Sequence, residues 1–326
     1  MKKLLLTHVP QARRQYYGAA ALARLHELVD VVLHEGEAPL DPAGLIAMGR
    51  GADFMIADRA TPVPAEVFAG LPGLRVVMRS AIDIRNIDVG AASAAGVLVT
   101  HAEAGFVKSV VELTIGLLVD LSRGVSRAAA DYHAGRMPEI RVGRQLAGST
   151  AGLIGYGRIA RDLAQMLAHL GMKVLVADPY AQVDDPRFHK MPMDELLSRA
   201  DYVICLAIAN EETENLLDAS AFARMKPDAF FVNMSRGKLV DETALAQALK
   251  EGRIAGAAMD VGRAPDQMPS PALARLPNVI ATPHIGGLTP PASESQAMDT
   301  VRQVEALVKG EVPPGAVNLA SWSRRS

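Results

Sequence analysis

Gly155-Tyr156-Gly157-Arg158-Ile159-Ala160 places two glycines two positions apart and a small residue three positions on. That spacing suits a pyrophosphate. The first glycine permits a tight strand-to-helix turn, the second lets phosphate approach the backbone, and the small third residue lets helix pack close to strand. A helix N-terminus offers unpaired N–H groups and a positive dipole end to the phosphates. Asp178 stands just past the next predicted strand, where such a fingerprint has its acid. There a carboxylate can accept from ribose hydroxyls and repel a 2′-phosphate, so NAD is expected rather than NADP. Three further motifs could do chemistry: Asn233-Met234-Ser235-Arg236-Gly237, Gly256-Ala257-Ala258-Met259-Asp260-Val261 and Thr282-Pro283-His284-Ile285-Gly286-Gly287. They bring a guanidinium that can fork onto two oxygens, a carboxylate, and an imidazole able to exchange protons near neutral pH.

These groups need elements to hold them. Leu163, Met166, Leu167 and Leu170 recur at helical spacing after the glycine turn, and Gly171 is placed to close that helix. Short apolar runs predict strands at 152–154 and 174–176, then at 202–206, 230–233, 256–260 and 279–281. Helices are predicted at 193–198, 219–225, 242–251 and 293–309. The first third of the chain has the same alternation without a glycine fingerprint. Strands are expected at 4–6, 29–33, 53–57, 74–78 and 97–100. Residues 8–17 read as a loop leading into a helix that ends near Leu28. Residues 39–48, 62–69 and 88–95 read as helical. The mostly apolar stretch 109–122 is a helix, and 123–144 a polar bridge. Such alternation implies parallel sheets with helices on both faces. Ligands in such sheets sit at the carboxyl ends of strands, where all three motifs fall.

The chain has 326 residues, 49% hydrophobic and 21% charged, with net charge −2. It is long enough for two α/β domains. The charge leaves no electrostatic footprint for nucleic acid. The single cysteine, Cys205, sits in an apolar run and reads as a core thiol; no disulfide framework can form, which suits a reducing, cytoplasmic setting. Leu4-Leu5-Leu6 is too short for a signal-peptide core, and no apolar run reaches membrane-spanning length. No membrane partner and no metal site are expected.

Taken together, the fingerprint with Asp178, then Ser235-Arg236-Gly237, then Thr282 to Gly287, resemble the D-isomer-specific 2-hydroxyacid dehydrogenases. That family includes phosphoglycerate, glycerate and D-lactate dehydrogenases and formate dehydrogenase. Arg79 with Asn86-Ile87-Asp88, Ser109-Val110-Val111-Glu112, Met225-Lys226-Pro227 and Leu239-Val240-Asp241-Glu242 fall in the family's order, so the resemblance covers nearly the whole chain. It implies two doubly wound parallel-sheet α/β domains: a discontinuous flavodoxin-like substrate domain (1–104 and 289–326) and a Rossmann NAD domain (105–288). It also implies a homodimer built on the NAD domain. Gly155, Tyr156, Gly157, Arg158, Ile159, Asp178 and Ser235 would line the cofactor, and Asp260 would hold the nicotinamide carboxamide. Arg236 would bind the substrate carboxylate and polarise the reacting carbonyl. His284 would be the general acid/base.

The chain departs from the family pattern in the residues that would meet substrate. The family's catalytic glutamate, five positions beyond the aspartate of Asp260-Val261, supports the imidazolium of its histidine. That position is Pro265 here. Asp266 is the nearest acid: either its carboxylate substitutes after a one-residue backbone adjustment, or it is a surface acid of the proline-rich loop 264–271. The family's glycine-rich substrate loop after Arg79 reads Ser80-Ala81-Ile82-Asp83-Ile84-Arg85. Ala81, Ile82 and Asp83 are therefore candidate substrate contacts. Asp83 either points away as a structural residue or recognises a substrate hydroxyl or cation, and Arg85 or Arg79 could neutralise it. His101 is either a substrate contact or a loop histidine. The leading reading is NAD-dependent interconversion of a 2-oxo acid and the (R)-2-hydroxy acid. The alternatives are a dehydrogenase of a polyhydroxy or sugar-derived acid, and a non-catalytic NAD(H)-sensing binding protein.

Overall fold

The computed structural model describes residues 1–325, which divide into two compact units. The first joins Met1–Phe106 to the segment that starts at Thr289, and the second is Val107–Leu288.

In the first unit, β1 (Lys3–Leu6), β2 (Asp30–Leu33), β3 (Phe54–Ala57), β4 (Val76–Arg79) and β5 (Leu98–His101) form one parallel sheet. Its order is β2-β1-β3-β4-β5, the flavodoxin-like winding. Both faces are covered, which is why β1 reads as an unbroken apolar run. Leu4 and Leu6 pack with Leu25, Val301 and Val304 on one face; Leu5 packs with Val63, Val67 and Phe68 on the other. The helix Pro290–Val308 covers the first face and starts at 290, ahead of the predicted 293. Pro290 suits its first turn, and the Thr289 hydroxyl accepts from Ala292 N–H. Residues 10–17 are not a loop. A short turn, Pro10–Ala12, runs into a π-helical turn, Arg13–Tyr17, which Gly18 ends at φ 87°. Long-range contact stabilises it: Tyr17 is buried and its hydroxyl pairs with Thr300 at 2.7 Å.

In the second unit, β6 (Thr150–Ile154), β7 (Lys173–Ala177), β8 (Phe188–Lys190), β9 (Tyr202–Cys205), β10 (Phe230–Asn233), β11 (Gly256–Met259) and β12 (Val279–Ala281) form a parallel sheet. The order is β12-β11-β10-β9-β6-β7-β8, so winding reverses between β6 and β9. That reversal creates the crevice where doubly wound sheets bind nucleotides. β8 leaves no signal in the sequence because this short edge strand buries Phe188 alone. Residues 123–144 are not all bridge: Gly124 (φ 67°) ends Val107–Arg123, and a further helix spans Val125–His133. The helix after the fingerprint, Arg158–His169, buries Ala160, Leu163, Ala164 and Leu167. Met166 and Leu170, which share its helical spacing, are exposed. Among the described residues no helix is long and apolar enough to cross a membrane.

Candidate active site

The glycine turn sits at the carboxyl end of β6, at the reversal. Gly155 has φ 88°, and a Cβ there would lie 2.6 Å from the backbone N and Cα of Ala207, just past β9. Only glycine can make this turn. Gly157 caps Arg158–His169 with φ −79°, and a Cβ there would meet no atom within 4 Å. Its missing side chain leaves open space in front of the helix N-terminus, which a dinucleotide phosphate needs. Ala160 is buried where the helix approaches the sheet. Tyr156 is buried too, and Arg161 lies 4.6 Å above its ring.

Asp178 follows β7. Its carboxylate accepts from the N–H groups of Tyr156 (2.8 Å), Tyr180 (2.9 Å) and Ala181 (2.9 Å). Partial burial alone would raise its pKa. The N–H groups of Ala181, Tyr156 and Tyr180, with the Lys190 charge, outweigh burial and hold it below the ordinary carboxylate value. Asp178 is therefore an anion at neutral pH, next to the turn that would receive the cofactor. These residues fit NAD. At an effective dielectric of about 20, two unit charges about 4 Å apart repel by about 4 kcal/mol, so a 2′-phosphate placed beside Asp178 would be strongly disfavoured. Asp178→Ser is expected to raise the NADPH-to-NADH ratio of kcat/KM at least about tenfold, the equivalent of about 1.4 kcal/mol. Steady-state rates with the two cofactors check it; an unchanged ratio would remove Asp178 from cofactor selection.

Ser235 and Arg236 follow β10. The Ser235 hydroxyl donates to Ala207 O at 2.5 Å, tying the end of β10 to the reversal. Asn233 holds the same turn, accepting from Ser235 N–H (3.1 Å) and donating to Arg236 O (3.1 Å). One Arg236 Nη donates to Ser235 O at 2.7 Å. The half-buried guanidinium is thus steadied at a strand end.

Asp260 follows β11 and is 3% exposed. Its oxygens accept from Thr282 Oγ1 (2.7 Å), Ile285 N–H (2.8 Å) and Gly286 N–H (2.7 Å). Three of a carboxylate's roughly four acceptor positions are taken by the loop that carries His284. Asp260 thereby clamps that loop. Bonds to a charged acceptor contribute about 1.5–3 kcal/mol each, so the clamp is strong. Thr282 stands in the motif the sequence singled out, but its partner Asp260 is 22 residues away along the chain and nothing local signals the pairing.

His284 has φ 55°. Its Nδ1 lies 3.0 Å from the main-chain carbonyl oxygen of Asp266. Residue 266 thus reaches the histidine through its backbone carbonyl. The reason is conformational. Asp266 (φ 58°) and Gln267 (φ 59°) are both left-handed, which turns the peptide between them. Bonds from Gly262 N–H to Gln267 O (2.7 Å) and from Ala264 N–H to Met268 O (3.0 Å) pin the turn. Of four left-handed non-glycine residues among those described, three are at this contact, and each costs about 1–3 kcal/mol.

The remaining candidates lie in the first unit, at the carboxyl ends of β4 and β5. Ala81 O accepts from Ala102 N–H (3.2 Å), and Ile82 is partly exposed. Asp83 is gripped by Arg85 through Nε (2.9 Å), Nη2 (2.6 Å) and the backbone N–H (3.1 Å). Its charge is therefore matched locally. His101 Nδ1 donates to Ala102 O at 2.9 Å, and Nε2 is its other polar atom. Arg79 joins two residues the sequence did not signal, His8 and Asp58; all three are at least nine-tenths buried, at the ends of β4, β1 and β3. Burial pulls His8 down to about 4 despite the nearby Asp58 charge, so it is neutral. Arg79 is lowered by burial and supported by Asp58 and Asp83. Burial lifts Cys205 to about 12, so it stays an inert thiol.

Residues 115–286 match the family model for the NAD binding domain of the D-isomer specific 2-hydroxyacid dehydrogenases. The chain is 35% identical over 304 residues to the D-3-phosphoglycerate dehydrogenase of Mycobacterium leprae, covering 92% of this chain and 57% of that protein. It therefore spans little more than half the length of that relative. It is 33% identical over 307 residues to a glyoxylate reductase of Thermofilum pendens, covering 91% of each. Among solved structures, the TT0316 protein of Thermus thermophilus superposes with TM-score 0.85 at 32% identity, over 97% of this chain and all of that one.

Proposed function

Because the chain belongs to the D-isomer specific 2-hydroxyacid dehydrogenase family, we propose that it interconverts a 2-oxo acid and the matching (R)-2-hydroxy acid with NAD(H). The observation that carries this reading is the grouping on one sheet edge. The glycine turn, Arg236 and the His284 loop follow strands β6, β10 and β12 of the same parallel sheet.

Bound at Gly155–Ile159 and Asp178, with Ser235 and Asp260 nearby, NADH would supply the hydride for C2. Arg236 grips the substrate carboxylate with one arm of its guanidinium and polarises the carbonyl with the other. His284, with Nδ1 engaged by the Asp266 carbonyl, uses Nε2 to give a proton to the carbonyl oxygen during reduction. In oxidation the same atom takes that proton back.

A second reading is supported by the Asp83–Arg85 pair. Asp83 replaces a glycine with an acceptor whose charge is already matched, and His101 adds a free Nε2. Such groups suit hydroxyls better than a second anion, so a polyhydroxy 2-oxo acid is the favoured subclass, with Ala81 and Ile82 beside them. NADH consumption against a panel running from glyoxylate and hydroxypyruvate to longer hydroxylated 2-oxo acids tests both. Turnover favouring the hydroxylated compounds supports the subclass. Tight NADH binding with no turnover on any compound would favour an NAD(H)-sensing role instead.

The active form is proposed to be a cytoplasmic homodimer built on the second unit. Met137, Ile140 and Val142 follow the helix Val125–His133 and are 84%, 98% and 103% exposed. A monomer gains nothing from presenting three large apolar side chains on one short segment. The double variant Ile140→Ser, Val142→Ser is expected to shift a dimer to monomer at micromolar concentration in sedimentation velocity. An unchanged sedimentation coefficient would exclude this segment as the interface.

A further inference from the structure

The acid that this family pairs with its histidine is absent at Pro265, yet His284 Nδ1 is not left to solvent. The Asp266 carbonyl stands 3.0 Å away. A carbonyl oxygen only accepts, so Nδ1 must donate, and in the neutral ring the proton must be on Nδ1. We infer that Asp266 is a positioning residue that acts through its main-chain carbonyl, not its carboxylate, fixing the tautomer of His284 so that Nε2 alone exchanges protons. This deepens the acid–base role proposed above and rests on it.

Three features support the assignment. The turn that presents the carbonyl is built at a cost, with Asp266 and Gln267 both left-handed where glycine would be expected. The turn is over-determined: Met268 N–H donates to Pro265 O at 3.2 Å, in addition to the bonds from Gly262 and Ala264. The other side of the contact is held as firmly. His284 N–H donates to Thr282 O (2.9 Å), and Asp260 clamps Thr282, Ile285 and Gly286 around it. Two strained loops, one carrying Asp266 and the other His284, are thus each locked by their own hydrogen bonds, and they meet at one N–H···O contact. A carboxylate partner would need no such backbone arrangement, since a side chain can swing to the ring. Nδ1 donates to the carbonyl in both the neutral ring and the imidazolium, so its proton stays in place as Nε2 gains or loses one. The reaction balances with one proton moved at Nε2 and one hydride moved at carbon.

The test is nitrogen NMR of the full-length protein with labelled histidine, the His284 signals being identified by their loss in His284→Asn. Wild type is expected to show a protonated Nδ1 and a bare Nε2 in the neutral ring. Asp266→Ala, which removes the carboxylate and keeps the carbonyl, is expected to retain that signature. Replacing Gln267 by its α-hydroxy acid makes residue 266 the carbonyl of an ester, a weaker acceptor. The Nε2-protonated form should then appear, and kcat should fall about fivefold with KM within about twofold, as expected for about 1 kcal/mol of lost hydrogen bonding. An Nε2-protonated ring in wild type, or loss of the signature in Asp266→Ala, would overturn the inference. The spectrum is read on the resting protein. Failure of turnover on every 2-oxo acid would therefore sink the proposed reaction while the tautomer result stood.

Discussion

His284→Asn is expected to lower kcat about 10³-fold while NADH binds as in wild type. General acid–base catalysis by a placed side chain contributes about 10²- to 10⁴-fold. Asparagine makes the loss specific. It tolerates a left-handed backbone, which φ 55° at residue 284 demands. Its amide nitrogen can replace Nδ1 as donor to the Asp266 carbonyl, so the strained loop keeps its contact. What is removed is the ring Nε2 proposed to pass the proton. Single-turnover NADH oxidation, with a separate NADH fluorescence titration, checks this. A loss smaller than about tenfold would put proton transfer on another group. A loss of NADH affinity would mean that the loop had shifted and that the kinetic defect was indirect.

Gly155→Ala and Gly157→Ala are expected to fail in different ways, although both stand in one motif. At Gly155 the added methyl would sit 2.6 Å from the Ala207 backbone, and φ 88° disfavours any L side chain. Backbone cannot rotate away as a side chain can, so the β6–β9 junction must open. The expected cost is about 3 kcal/mol or more, seen as a fall in melting temperature of roughly 6–12 °C for a unit of this size. At Gly157 the methyl meets no protein atom within 4 Å, so stability should be unchanged within about 0.5 kcal/mol. NADH affinity should still fall, about tenfold or more, because the methyl occupies the space left for phosphate. Calorimetry and NADH titration on both variants separate the fold role from the ligand role. Gly157→Ala binding NADH as wild type does would remove that glycine from the cofactor site.

Much of the arrangement was legible in the chain because it is written locally. The glycine spacing, the acid just past the following strand and the short apolar runs of β6, β10 and β12 each belong to one continuous segment. The errors came where distant residues decide conformation. Residues 10–17 look like a loop until Tyr17 finds Thr300. β8 buries too little for its pattern to show.

At the site, residue types and order determined which groups could act: a phosphate turn at Gly155–Ala160, a guanidinium at 236 and an imidazole at 284. Those follow from side-chain chemistry and motif spacing alone. Only the tertiary structure decided which atoms do the holding. Asp260 clamps the His284 loop, Asp83 is paired with Arg85, and the Asp266 main-chain carbonyl comes within 3.0 Å of His284 Nδ1. Each outcome depends on backbone angles set by hydrogen bonds within folded loops, two of them joining segments far apart in the chain, and no pattern of side-chain identities records those angles.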